Sequence, residues 1–206
     1  MKTLHVSLQD KEYCLYPEQN TIQKYGWVFP SEFENRTLFV TGLSGTGKTT
    51  FVKKICNKEN IPYAGQTFIL LEQNPILHHT SEPDLFSLMD LTRKKIIDGH
   101  FLFPTNTRPG FNYAHNISTF SYDFSFGKIK DNLLFEFRQL EPSRIHTLIQ
   151  KRYASGNAFG HTFNPTIEEI TKGENLLYET AHKLFEQGAD VYIRRGLNGV
   201  PWRFFK

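Results

Sequence analysis

Residues 42–49 read Gly42-Leu43-Ser44-Gly45-Thr46-Gly47-Lys48-Thr49, which is the pattern G-x-x-x-x-G-K-[ST] without a departure. The glycines permit backbone angles and close approaches that a side chain would block. The loop amides can then converge on phosphate oxygens, helped by the positive end of a following helix. Lys48, at the tip of the loop, is expected to bring a mobile charge to the β- and γ-phosphates, and the Thr49 hydroxyl to ligate Mg²⁺. The predicted ATP-binding residues are Gly42, Leu43, Ser44, Gly45, Thr46, Gly47, Lys48, Thr49 and Thr50.

The segments around this loop alternate between strand and helix patterns. A continuous apolar strand is predicted at 37–41, before the loop, and an amphipathic helix runs from Thr49 to Lys58 after it. Further buried strands are predicted at 67–71, 100–103 and 189–193, and helices over 84–98 (with Gly99 as its stop), 141–152 and 165–187. This alternation predicts an α/β protein of the P-loop NTPase fold, with a mostly parallel sheet and helices on both faces.

Three segments depart from the alternation. Residues 3–16 predict two short strands around a turn at Gln9-Asp10-Lys11, and residues 20–36 are predicted to be less regular. Residues 117–138 predict a β-hairpin that turns near Gly127. We therefore expect an N-terminal β extension over residues 1–36. A nucleotide-binding domain over 37–206 follows it, with a lid-like segment near 141–164.

The composition excludes several classes of protein. The chain has 206 residues, of which 39% are hydrophobic and 22% charged, so disordered and low-complexity classes are excluded. The sequence has no apolar run of about 18 residues and no secretory signal pattern, which predicts a cytoplasmic protein without membrane spans. Its two cysteines have no metal-binding spacing. A net charge of +3 permits a nucleic-acid partner but does not support one, and the oligomeric state stays open.

Residues 38–50 resemble the small P-loop kinases of nucleosides and nucleotides, and adenylylsulfate kinase in particular. The chain length and the position of the loop are similar as well. The resemblance implies an enzyme that moves the γ-phosphoryl group of ATP to a small-molecule or nucleotide acceptor, with Mg²⁺. The acceptor stays unidentified, because Leu71-Glu72-Gln73-Asn74 stands where the adenylylsulfate family has an Asp-Gly-Asp-type sequence.

The resemblance also implies catalytic and acceptor-binding residues outside the loop. In such kinases the strand after the loop helix commonly ends in an acid, and Glu72 occupies that place, where it can accept a proton or hold Mg²⁺ through water. Arg144 and Arg152, on the helix over 141–152, are expected to close over the developing charge as a lid. Arg108, after the third predicted strand, is a candidate clamp for an acceptor phosphate. The alternative for each arginine is an ordinary solvated charge.

An ATP-binding cassette ATPase is the competing class. A strand hairpin before the loop and Gln73 after a buried strand favour it, and residues 120–124 resemble its excision-repair branch weakly. Against it, the sequence has no Leu-Ser-Gly-Gly-Gln signature, and the strand at 133–137 carries Glu136 but lacks the aspartate of an hhhhDE strand that would hold magnesium. The sequence therefore favours a kinase. The ATPase and a nucleotide-binding protein without transfer activity remain alternatives.

Overall fold

The computed structural model describes residues 3–8, 11–63, 66–70, 96–102, 132–155 and 165–205. Within these ranges, strands precede and follow helices in the order that the sequence predicts. The strands are β1 (Leu4–Leu8), β2 (Lys11–Pro17), β3 (Thr21–Lys24), β4 (Trp27–Pro30), β5 (Thr37–Gly42), β6 (Gln66–Leu70), β7 (Ile96–Leu102), β8 (Leu133–Gln139), β9 (Asp190–Arg195) and β10 (Pro201–Phe204). The helices are a 3₁₀ turn (Ser31–Glu34), α1 (Lys48–Glu59), α2 (Pro142–Ala154) and α3 (Ile167–Glu186).

Eight of the described strands form one sheet, in the order β1-β2-β10-β9-β8-β5-β7-β6. The strands from β9 to β6 are parallel to one another, whereas β10, β2 and β1 add to β9 in antiparallel fashion. The N-terminal hairpin, which the sequence predicts, thus extends the sheet through the C-terminal strand. The prediction of an α/β protein with a mostly parallel sheet is confirmed.

Helices cover both faces of the parallel strands, as predicted. On one face, Leu38 and Val40 of β5 pack with the apolar side of α1. On the other face, Phe39 of β5 packs into a larger cluster with α2 and α3. Successive residues of a strand point to opposite faces, so a strand buried on both sides needs a continuous apolar run. No helix in the described part of the chain is long and apolar enough to cross a membrane.

The start of α3 shows how the sequence fixes a helix boundary. Thr166 Oγ1 accepts a hydrogen bond of 3.1 Å from the Glu169 amide, and the Glu169 carboxylate accepts one of 2.8 Å from the Thr166 amide. This reciprocal capping box satisfies two donors that the helix itself leaves without partners. It explains why the helix begins at Ile167, two residues after the start at Pro165 that the sequence predicts.

The predicted helix over residues 84–98 is wrong at its end, because strand β7 begins at Ile96. Ile97 pairs with Phe39 of β5 in parallel register, and both isoleucines are buried. β-Branched side chains fit a strand buried on both faces, and this packing outweighs their helical spacing. Gly99 lies within β7 and is therefore not a helix stop. The position needs a glycine, because a Cβ there would collide with the Phe39 ring. Residues 84–95 lie outside the described residues.

Two further segments differ from the sequence prediction. In the hairpin predicted over residues 117–138, the second strand is present as β8, but its pairing in a hairpin is wrong, because β8 has parallel neighbours on both sides, β5 and β9. Neither edge of β8 is therefore open to an antiparallel partner, and residues 117–131 lie outside the described residues. Residues 20–36, expected to be less regular, contain the antiparallel β3–β4 pair and the 3₁₀ turn.

Candidate functional site

The glycine loop, residues 42–49, lies at the carboxyl end of β5. Strands β7 and β6 lie on one side of β5, and β8 and β9 lie on the other. The direction of strand order therefore reverses at β5. In open parallel sheets, ligands bind outside the carboxyl ends of the strands at such a reversal. The sheet thus places the loop where a ligand is expected.

The backbone of the loop needs its glycines. Gly42, Gly45 and Gly47 have φ angles of 137°, 89° and 79°, which side chains rarely adopt. A Cβ on Gly42 would also overlap the carbonyl oxygen of Arg138 on β8. Helix α1 begins directly after Gly47 with no side-chain cap and no acidic residue in its first turn. Its first amides are therefore suited to an anion.

Lys48 is buried within the loop, with 5% of its surface exposed, and so does not stand at an exposed tip as expected. Its Nζ donates hydrogen bonds to the carbonyl oxygens of Gly42 at 2.7 Å and Leu43 at 3.0 Å. These bonds hold the ammonium group against the inner wall of the loop. A polyphosphate would offer the same group charged oxygens in place of neutral carbonyls, and charge-assisted bonds are the stronger.

The charges around Lys48 favour an anionic ligand. Burial lowers the pKa of Lys48 to about 8, the Asp98 carboxylate opposes this shift, and the charges of Arg138 and Arg152 add to it. Among the described groups that act on Lys48, positive charges outnumber negative ones. A bound polyphosphate would relieve this repulsion and raise the pKa of the lysine, which stabilises its charged form.

Asp98 completes the site from the neighbouring strand. It lies on β7, pairs in register with Val40 of β5, and has 1% of its surface exposed. Thr49 Oγ1 donates to Asp98 Oδ2 at 2.7 Å, and the hydroxyl of Tyr63 donates to the same oxygen at 2.8 Å. Burial raises the pKa of Tyr63, and its bond to Asp98 raises it further. Tyr63 is therefore a neutral donor to this carboxylate.

The oxygens of Thr49 and Asp98 suit magnesium. Mg²⁺ prefers oxygen ligands and is usually held by one or two carboxylates together with substrate phosphates. In the ranges that the structure describes, no group of three or more His, Cys, Asp or Glu residues is placed to hold a metal by itself. One carboxylate and one hydroxyl, beside a loop suited to phosphate, therefore fit a magnesium ion that arrives with a nucleotide.

Sequence reasoning missed Asp98. The signal was the run Ile96-Ile97-Asp98, in which two β-branched apolar residues, typical of a buried strand, stand directly before an acid. The sequence analysis assigns these residues to the end of a helix and therefore does not consider Asp98 as a magnesium ligand. It considers Glu72 and the strand that carries Glu136 instead.

Of the other predicted site residues, the structure describes only the two arginines on α2. Glu72 and Arg108 lie outside the described residues, as does most of the lid-like segment after residue 155. Arg144 is exposed in the first turn of α2, whereas Arg152 is half-buried in the last turn. Of these two arginines, Arg152 is the one whose charge lowers the pKa of Lys48.

Comparison with known proteins adds little to this geometry. No protein-family model matches the sequence, and no curated protein matches it. Among solved structures, the chain is similar to a gluconokinase from Sinorhizobium meliloti 1021, at 14% identity and a TM-score of 0.29, over 74% of this chain and 97% of that chain. A TM-score this low carries no argument about function. The fold assignment rests on the strand order and burial of this chain itself.

Proposed function

We propose that the chain is a magnesium-dependent P-loop phosphotransferase, a kinase that moves the γ-phosphoryl group of ATP to a small-molecule or nucleotide acceptor. The observation that carries the proposal is the 2.7 Å hydrogen bond between Thr49 Oγ1 and Asp98 Oδ2. A loop hydroxyl and an aspartate on a neighbouring strand are the groups that hold Mg²⁺ in P-loop enzymes. Here they meet beside a loop that matches the phosphate-binding pattern at every fixed position.

Each group of the site has a role in this proposal. The loop amides and the start of α1 bind the phosphate oxygens, and Lys48 leaves the carbonyls of Gly42 and Leu43 for the β- and γ-phosphates. Thr49 and Asp98 hold the metal. A magnesium ion held there would supply positive charge against the charge that develops on the phosphate oxygens. Arg152 closes over the phosphates from α2 and helps to exclude water.

Gly99 favours transfer to an acceptor over hydrolysis by a cassette-type mechanism. The hhhhDE pattern of cassette ATPases places a glutamate directly after the metal-holding aspartate. In this chain Gly99 follows Asp98, and a Cβ at that position would collide with the Phe39 ring. The strand therefore has no room for the second carboxylate.

We further propose Glu72 as the acid on the acceptor side, Arg108 as a clamp for the acceptor, and Arg144 as a second lid cation.

The test uses purified chain, Mg²⁺ and ATP labelled in its γ-phosphate, with pooled nucleosides, nucleotides, sugars and sulfate esters as acceptors. Release of label to water is measured in parallel. We expect transfer to one pool, and a loss of about 10²–10³-fold in turnover with Asp98→Asn. Asp190→Asn is the matched control, because Asp190 pairs with Arg36 at 2.6 Å and Arg203 at 3.0 Å, at the amino end of β9.

Two results would contradict the proposal. Release of label to water alone, unaffected by any acceptor pool, would identify an ATPase. Binding of Mg²⁺ and ATP with neither transfer nor release would identify a nucleotide-binding protein without this activity. An equal loss of activity in Asp98→Asn and Asp190→Asn would show that the effect of the former is not specific to the metal site.

A further inference from the structure

Tyr63 follows α1 in the segment before β6, and its hydroxyl is directed at the metal-side carboxylate. It donates to Asp98 Oδ2 at 2.8 Å, the same oxygen that accepts from Thr49 Oγ1 at 2.7 Å. We propose that Tyr63 is a positioning residue for magnesium, which acts by holding the Asp98 carboxylate in its ligating orientation. This inference rests on the proposed function and extends it to a residue that the sequence did not single out.

Two donors on one oxygen restrict the carboxylate more than one donor does. With a single hydrogen bond, the Asp98 carboxylate can rotate about its terminal torsion, which has a broad energy well. Thr49 lies in the first turn of α1 and Tyr63 in the segment after this helix, so the two bonds to Oδ2 come from separate parts of the chain and together fix its position. Groups that hydrogen-bond a metal ligand orient it, and losing one typically lowers metal affinity 10–100-fold.

Tyr63 is itself held in place, so its bond to Asp98 is not a chance surface contact. Its ring is partly buried against the apolar cluster between α1 and the sheet. On the other side, the ammonium group of Lys53 lies 4.9 Å from the ring centroid, a distance typical of a cation–π interaction. Lys53 lies on α1, one turn after Thr49. The same helix therefore aligns both donors of the carboxylate.

The test is Tyr63→Phe, which removes the hydroxyl and keeps the ring. Two quantities are measured: the Mg²⁺ concentration that gives half-maximal ATP binding and turnover, and the ATP affinity in the presence of a chelator. We expect the half-saturating Mg²⁺ concentration to rise about tenfold, with metal-free ATP affinity unchanged and turnover at saturating Mg²⁺ close to that of the wild type. Tyr25→Phe is the matched control, because the Tyr25 hydroxyl also donates to a carboxylate, that of Glu59 at the far end of α1.

The outcomes separate this inference from the proposed function. A wild-type chain whose ATP binding and turnover do not depend on Mg²⁺ would overturn both. Magnesium dependence in the wild type with an unchanged or lower Mg²⁺ requirement in Tyr63→Phe would overturn the role of Tyr63 alone. So would an equal loss of ATP affinity with and without metal, or an equal rise in the Mg²⁺ requirement of Tyr25→Phe, since either would indicate a packing effect.

Discussion

Two buried carboxylates stand at the same level of the sheet on either side of β5, and they have different partners. Asp98 on β7 and Glu136 on β8 each pair with Val40 in parallel register. Residues paired in register point to the same face of a sheet, so both carboxylates lie on the α1 side. They are 1% and 0% exposed. The partners described for Asp98 are two neutral hydroxyls, whereas those of Glu136 are two guanidinium groups.

The Glu136 cluster is satisfied within the protein. Arg194 on β9 makes a bidentate pair with Glu136, at 2.7 Å from Nε and 2.8 Å from Nη2. Its remaining donors reach the carbonyl oxygens of Gly199 at 2.6 Å and Val28 at 2.8 Å. Arg194 is fully buried. The cluster thus ties β8 and β9 to β4 and to the turn before β10, and the charge of Glu136 is balanced within the protein.

The partners of a buried carboxylate determine whether its charge is already balanced within the protein. A carboxylate paired with buried guanidinium groups has its charge balanced, and breaking such a pair is costly. The hydroxyls of Thr49 and Tyr63 orient the Asp98 carboxylate without matching its charge, and among the described charged groups Asp98 acts on the Lys48 ammonium. Register and burial are the same at the two positions. The neighbouring side chains therefore distinguish Glu136, which guanidinium groups tie into the fold, from Asp98, which we propose as a magnesium ligand.

Glu136→Gln is expected to have the largest effect. It leaves the buried charge of Arg194 uncompensated, which should lower the free energy of unfolding by about 3–5 kcal/mol and the melting temperature by on the order of 10 °C. Asp98→Asn should lower the unfolding free energy by less, because an amide oxygen still accepts from the hydroxyls of Thr49 and Tyr63. Urea and thermal unfolding of both variants measure the contrast. Equal destabilisation by the two substitutions would contradict it.

The sequence predicted the features of this site that are local in the chain. The glycine loop is contiguous, and the strand before it and the helix after it have clear apolar patterns. These patterns were enough to predict that phosphate binds at the carboxyl end of β5. Helices α2 and α3 were predicted for the same reason, since spacing and capping signals lie within each helix.

The sequence did not predict the features that depend on strand register. Asp98 reaches Thr49 only because β7 lies beside β5, and no local pattern specifies which strands are neighbours. The pairing of Glu136 with Arg194 joins residues 58 positions apart for the same reason. Short apolar runs such as Ile96-Ile97 fit either a helix or a strand, and tertiary packing chooses between them.

The arginines near the two carboxylates also differ, and Arg152→Ala tests that difference. Arg194 is fully buried and paired with Glu136. Arg152 is half-buried in the last turn of α2, and its charge acts on Lys48. If Arg152 meets phosphate mainly in the transition state, the variant should lower turnover about 10²-fold and leave ATP affinity within a few-fold of the wild type. Lys151→Ala, which removes the exposed neighbouring cation, is the control. Normal turnover in Arg152→Ala would remove α2 from the proposed lid.

The smallest expected effect is a pH dependence of ATP binding at the loop, which comes from Lys48. Burial lowers the pKa of Lys48 to about 8, with Asp98 opposing the shift and Arg138 and Arg152 adding to it. Below this pH the lysine is charged and binds phosphate, and above it the lysine is neutral. ATP affinity should therefore fall as pH rises, by up to about tenfold between pH 7 and 9. Arginine stays protonated over this range, so Lys48→Arg should give a flat profile even if its affinity is lower. Calorimetric titration with ATP at several pH values measures both profiles, and a fall of equal size in Lys48→Arg would show that another group is responsible.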